Sequence, residues 1–167
     1  DSFRTTENRS YLSILPTATQ YARNALFAGM MPADIKRITP QYWRTEEDEG
    51  SKNQFEKELL AGLLGRLGIE GKTSYHKVTN LAAGRKLVDS FNETKGEVLT
   101  TVVYNFVDML SHARTDMDVI KELADDEAAY RSLTLTWFEH SALKELFDKM
   151  AEAGGRVIVT TDHGTVR

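Results

Sequence analysis

The 167-residue sequence contains no cysteine. That excludes disulfide bonds and thiolate metal sites, and it fits a reducing compartment. Any metal held by this chain must therefore be bound by imidazole, carboxylate or hydroxyl groups. Long apolar runs are missing too. The longest, around residues 98–110, is too short and too interrupted to cross a bilayer, and no charged-then-apolar signal segment opens the chain. A soluble, cytoplasmic protein with no membrane partner is expected. Positive charge is scarce: the formal net charge is −4, and Lys and Arg are scattered rather than gathered into the stripe that tracks a duplex. Double-stranded DNA is thus not the expected partner. Nor does any Pro/Gly/Ser linker, repeat or low-complexity tract divide the chain. One domain over residues 1–167 is expected, large enough to bury about two-thirds of the surface its unfolded chain exposes.

What is present alternates between two periodicities. Residues 11–15, 74–78, 98–106 and 156–160 cluster β-branched and aromatic residues between turn signals and predict strands. Residues 19–28, 33–38, 53–67, 81–91, 116–122, 126–138 and 142–153 predict helices. Ser51 and Ser141 stand where N-caps belong, while Gly68 and the pair Gly154 and Gly155 stand where helices end. Strands alternating with helices imply an α/β fold with a mainly parallel sheet and helices on both faces. Ligands in such folds bind beyond the carboxyl ends of the strands, so the residues that follow the strands carry the interest. The acidic runs "TEEDEGSKNQFEKE" and "ELADDEAAY" read as solvated faces or loops.

Three strand ends carry polar groups. In "SILPTATQYARNALFAGMMP" Thr19 falls at the start of a helix, where its hydroxyl either caps the helix or attacks a phosphate held by the helix N-terminus. In "VVYNFVDMLSHAR" Asp108 and His112 are four positions apart, either as surface residues or as two ligands of one divalent cation. In "RVIVTTDHGTVR" a strongly β-type run ends in Asp162, His163 and Gly164, either as a plain turn or as a second ligand pair. One hydroxyl, two carboxylates and two imidazoles form a set that suits zinc, or manganese, and supports metal-assisted phosphoryl transfer. Arg23, one helical turn after Thr19, is either a solvated residue or a partner for a non-bridging phosphate oxygen. His76 and His140 read as structural.

At these residues the sequence resembles the alkaline-phosphatase superfamily, more narrowly its PglZ-type domains and most closely the C-terminal effector domain of PorX-like response regulators, which control type IX secretion. "PTAT…FAG.MP" and "TTDHG" carry the resemblance most specifically. It implies an alkaline-phosphatase-like core in which Thr19 is the nucleophile. Asp108 and His112 would hold one zinc, and Asp162 and His163 the other, with Thr19 reaching toward that second metal. It further implies a cytoplasmic phosphodiesterase acting on nucleotide-type diesters, including oligonucleotides. The parent would carry a receiver domain, form a homodimer and engage a transcription factor. The alternative is a signalling module in which the same fold serves only dimerisation or transcription-factor binding. The pattern also includes an Asp upstream of the nucleophile and a His after the D-H-G motif, and neither has a counterpart between Asp1 and Arg167. A fragment lacking its first strand and its C-terminal part is therefore expected, with weakened metal binding and activity.

Overall fold

The computed structural model describes residues 3–106, 110, 118, 122 and 126–164. The chain divides into two compact units, one formed by Thr5–Gly71 with Ile158–Arg167 and the other by Asp1–Arg4 with Lys72–Val157.

The first unit is built on helices. Helix α1, Thr19–Ala28, buries Ala22, Asn24, Phe27 and Ala28 on one face. It ends at Gly29, whose φ of 57° lies in the left-handed region and whose missing Cβ would stand 2.6 Å from Leu63 Cδ1. Glycine is needed there both for backbone conformation and for the close approach of the next helix. Helix α2, Pro32–Ile38, starts with proline in its first turn, where no N–H is needed, and buries Ile35 completely. Helix α3, Glu56–Arg66, packs on α1 through Leu59, Leu60 and Leu64. It closes with the Gly68 N–H donating to the Gly65 carbonyl and the Ile69 N–H donating to the Leu64 carbonyl, 3.2 and 3.0 Å, which satisfies its last carbonyls. The expected helix over 53–67 is therefore shorter at its start. Ser51 does not cap it; its Oγ accepts the Asn53 N–H at 3.3 Å inside a preceding turn, while Lys52 and Asn53 direct polar groups to α1.

The second unit holds a parallel pair of strands, β1 (Thr73–Val78) and β2 (Leu99–Tyr104), in a register that sets Thr73 beside Leu99 and Val78 beside Tyr104. A parallel pair needs a crossover. Helix α4, Leu81–Asp89, supplies it, with Asn80 accepting the Ala83 N–H at 2.9 Å as its N-cap, followed by a 3-10 turn over Phe91–Thr94. Helix α5, Glu127–Glu139, is capped by Asp126, and helix α6, Ala142–Glu152, by Ser141, as their sequences require. Val78, Leu87, Val88 and Leu146 form the core. Gly84 lets α4 approach it: a Cβ there would lie 3.0 Å from the Tyr104 hydroxyl and 3.1 Å from Ala142 Cβ. Phe106 stacks flat on Trp137 at 3.6 Å.

The result is a mixed α/β architecture, with six helices and one two-stranded parallel sheet among the described residues. Two expected strands require correction. Residues 11–15 and 156–160 carry no assigned strand and join no ladder among the described residues. Their contacts run through side chains: Tyr11 donates to the Thr161 carbonyl and lies 2.7 Å from Thr160 Oγ1, and Ser13 Oγ donates to the Asp162 carbonyl at 2.8 Å. A strand becomes one by pairing its backbone groups with a neighbour. These segments have β-type composition but no ladder partner among the described residues, and most of their apolar side chains stay out, Leu12 at 97% and Ile158 at 84% exposure. The helix expected over 116–122 falls largely outside the described residues. No described helix is long and apolar enough to cross a membrane.

Candidate active site

Thr19 is the first residue of α1. The N-cap is Ala18, and no side chain caps the helix. The Ala18 carbonyl opens the helical ladder by accepting from the N–H groups of Tyr21 and Ala22, 2.9 and 3.0 Å. The Thr19 hydroxyl is therefore not spent as a cap. It points instead to the turn after residues 156–160, where Oγ1 lies 3.3 Å from His163 Nε2.

That turn fixes the imidazole. His163 Nδ1 lies 2.8 Å from the Gly164 carbonyl, which can only accept, so Nδ1 carries the proton of the neutral ring and Nε2 presents its lone pair. Thr161 Oγ1 donates to the His163 carbonyl at 2.8 Å and tightens the same turn. Ser13 anchors Asp162 through its carbonyl, leaving the carboxylate to its own partners. Asp162 Oδ2 is buried with no hydrogen-bond partner among the described residues, and it stands 3.6 Å from His163 Nε2. Three lone-pair atoms thus converge: a hydroxyl oxygen, an imidazole nitrogen and a carboxylate oxygen. A buried carboxylate oxygen facing an imidazole lone pair is unfavourable unless a proton or a metal cation stands between them. The residues present fit one cation with oxygen and nitrogen ligands.

The other expected ligand pair, Asp108 and His112, lies outside the described residues. Among the described residues no three His, Asp or Glu side chains gather around one point. Arg23 lies on α1 one turn past Thr19, but it is not a solvated residue. Its side chain is 13% exposed, and Nε donates to Oε1 of Glu56, whose side chain is 1% exposed. His76 bonds to Ser74 Oγ at 3.1 Å in β1, and His140 Nδ1 bonds to the Thr136 carbonyl at 2.8 Å past the end of α5, both within the second unit.

Sequence reasoning missed the polar layer behind Thr19. Asn53 Nδ2 donates to the Thr19 carbonyl at 3.3 Å and to Asn24 Oδ1 at 3.2 Å, and Asn24 Nδ2 donates to the Lys52 carbonyl at 3.1 Å. A signal was there to read: Asn24 shares a helical face with Phe27 and Ala28, and Glu56 shares one with Leu59 and Leu60, so each is a polar residue on an apolar stripe. An open cleft of about 470 Å³ is lined by Gln20 and Tyr21 of α1 with Lys36, Trp43 and Glu46, among others, and Thr19 is not among its lining residues.

No curated protein sequence matches the chain. Against known protein families, the BREX system PglZ alkaline phosphatase-like domain matches residues 1–167. The uncapped Thr19 hydroxyl thus faces the Asp162–His163 turn, and the chain belongs to the PglZ alkaline phosphatase-like domain family.

Proposed function

We propose that the chain is the catalytic domain of a metal-dependent phosphoric ester hydrolase, with Thr19 as nucleophile. The observation that carries this reading is the 3.3 Å approach of the uncapped Thr19 hydroxyl to His163 Nε2 beside the unpartnered Asp162 carboxylate oxygen. Asp162, His163 and Thr19 are the residues that would hold one divalent cation, zinc or manganese by donor type. Asp108 and His112 are proposed as ligands of a second. Such cations supply positive charge to the attacking and leaving oxygens of an in-line displacement.

The chain's own part is to orient. The His163 contact aims Thr19 Oγ1, and the α1 N-terminus faces the incoming phosphate with the positive end of its dipole. Oγ1 attacks phosphorus, the ester P–O bond breaks and the alcohol leaves with a proton. The phosphothreonine is then hydrolysed by water, which restores the hydroxyl. Arg23 is proposed to face the phosphate from the next turn, its guanidinium held by Glu56. Nucleotide-type diesters are the proposed substrates. The sequence resemblance is what supports this choice, together with a response-regulator parent bearing a receiver domain, a homodimer and a transcription-factor partner.

The test is turnover of a bis-nitrophenyl phosphate by the full-length zinc-loaded protein. Thr19→Ala is expected to lose at least about a thousandfold in kcat, in line with removal of a nucleophile. Undiminished turnover would overturn the assignment, and absence of both zinc and turnover in the wild type would favour a signalling module with no catalysis.

A further inference from the structure

Helix α1 begins without a side-chain cap, so something other than capping must fix the turn that carries Thr19. The amide of Asn53 does this from the turn before α3. Its single NH₂ group spans two acceptors, the Thr19 carbonyl and Asn24 Oδ1, and Asn24 in turn donates to the Lys52 carbonyl. Asn24 is 2% exposed and Asn53 9%. Burying two amides is costly unless their groups are paired, and the bonds they form here have direction, whereas the surrounding Ala22, Leu59 and Leu60 contacts do not. The network ties residues 52 and 53 to residues 19 and 24, that is, the start of α3 to the first turns of α1.

We propose that Asn53 and Asn24 are positioning residues for Thr19: Asn53, itself held by Asn24, binds the Thr19 carbonyl, and through the first turn of α1 the pair fixes the direction of Oγ1 toward His163. Neither side chain touches the reacting atoms. The proposal rests on Thr19 being the nucleophile, and it names what sets its aim. Displacing a reacting group by about 1 Å costs up to about a hundredfold in rate, so loss of the clamp acts on kcat more than on KM.

Asn53→Asp tests it in the full-length protein, because the side chain keeps its shape while both donated hydrogens are lost. Leu59→Ala serves as a control that weakens the same helix pair without touching the amides. The expected result is a kcat lowered about tenfold or more with KM within about twofold, relative to a Leu59→Ala variant that melts at least as early but keeps its kcat. Hydrogen–deuterium exchange over residues 19–24 should quicken in Asn53→Asp and much less in Leu59→Ala. Asn53→Gln, which restores a donor on a longer arm, should recover part of the rate, and it serves with Asn24→Ser if Asn53→Asp does not fold. Wild-type kcat and exchange in the folded Asn53 and Asn24 variants would overturn the proposal, as would a rate loss that merely follows melting temperature across all variants. If Thr19→Ala keeps full turnover the nucleophile reading fails, and the exchange measurement still reports whether the amides hold the turn.

Discussion

Two side chains away from the Thr19 turn show how buried polar groups set stability in the second unit. Tyr104 sits at the end of β2 with its hydroxyl buried and without a hydrogen-bond partner among the described residues, and burial pushes its pKa up. An unsatisfied buried hydroxyl costs free energy and contributes nothing in return. Tyr104→Phe should therefore leave the protein as stable or up to about 1 kcal/mol more stable in urea unfolding, the opposite sign from an ordinary core substitution. Glu97 is the contrasting case. Burial pushes its carboxyl up, but hydrogen bonds from Ser74 at 2.5 Å and Thr100 at 2.8 Å, with the Lys72 ammonium at 3.2 Å, outweigh it and hold the pKa below the usual 4.5. A carboxyl whose pKa is lowered on folding stabilises the fold fully above its unfolded value. That contribution is lost as pH falls below 4.5 toward the lower folded value. Thr100→Val removes one donor, so the Glu97 pKa should rise and acid unfolding, followed by circular dichroism, should begin at higher pH than in the wild type.

Between elements, the contact that matters most for the site is the α1–α3 pair. Arg23 and Glu56 meet there as a buried ion pair, and removal of one member leaves the other charge without its main counterpart. Arg23→Met alone is expected to cost about 3 kcal/mol, and the double change Arg23→Met with Glu56→Leu should recover most of that loss, measured as denaturant midpoints in a double-mutant cycle. The helices themselves were legible in the sequence. The stop signals at Gly68 and Gly154 and the cap at Ser141 are local chemistry that the structure uses, whereas Ser51 does not serve as the cap expected of it. The start of α3 was not legible, because Lys52 and Asn53 are taken up by a partner, Asn24, about thirty residues away in the chain, a tertiary pairing that no local signal encodes.

At the scale of the whole molecule, the same distinction separates the strands that formed from those that did not. The strands expected over 74–78 and 98–106 formed as Thr73–Val78 and Leu99–Tyr104, the second shorter than expected, and they pair with each other through a crossover. Residues 11–15 and 156–160 have equal β composition, yet a ladder depends on a neighbour, and none of the described residues provides one. What survives is the function of those segments as supports. Tyr11 and Ser13 bind the Thr161 and Asp162 carbonyls, and so hold the Asp162–His163 turn against the start of α1 within one compact unit. Of the residues singled out from the sequence, Thr19, Asp162 and His163 are brought together by the structure, their types being legible in sequence and their juxtaposition not. Asp108 and His112 lie outside the described residues.

The central claim, covalent attack by Thr19, is tested most directly by the stereochemical course of the reaction. A chiral phosphorothioate diester would be hydrolysed by the full-length zinc-loaded protein in labelled water and the configuration of the product determined. Two in-line displacements, first by Thr19 and then by water, give net retention at phosphorus. Inversion would mean a single direct attack by water and would contradict the account.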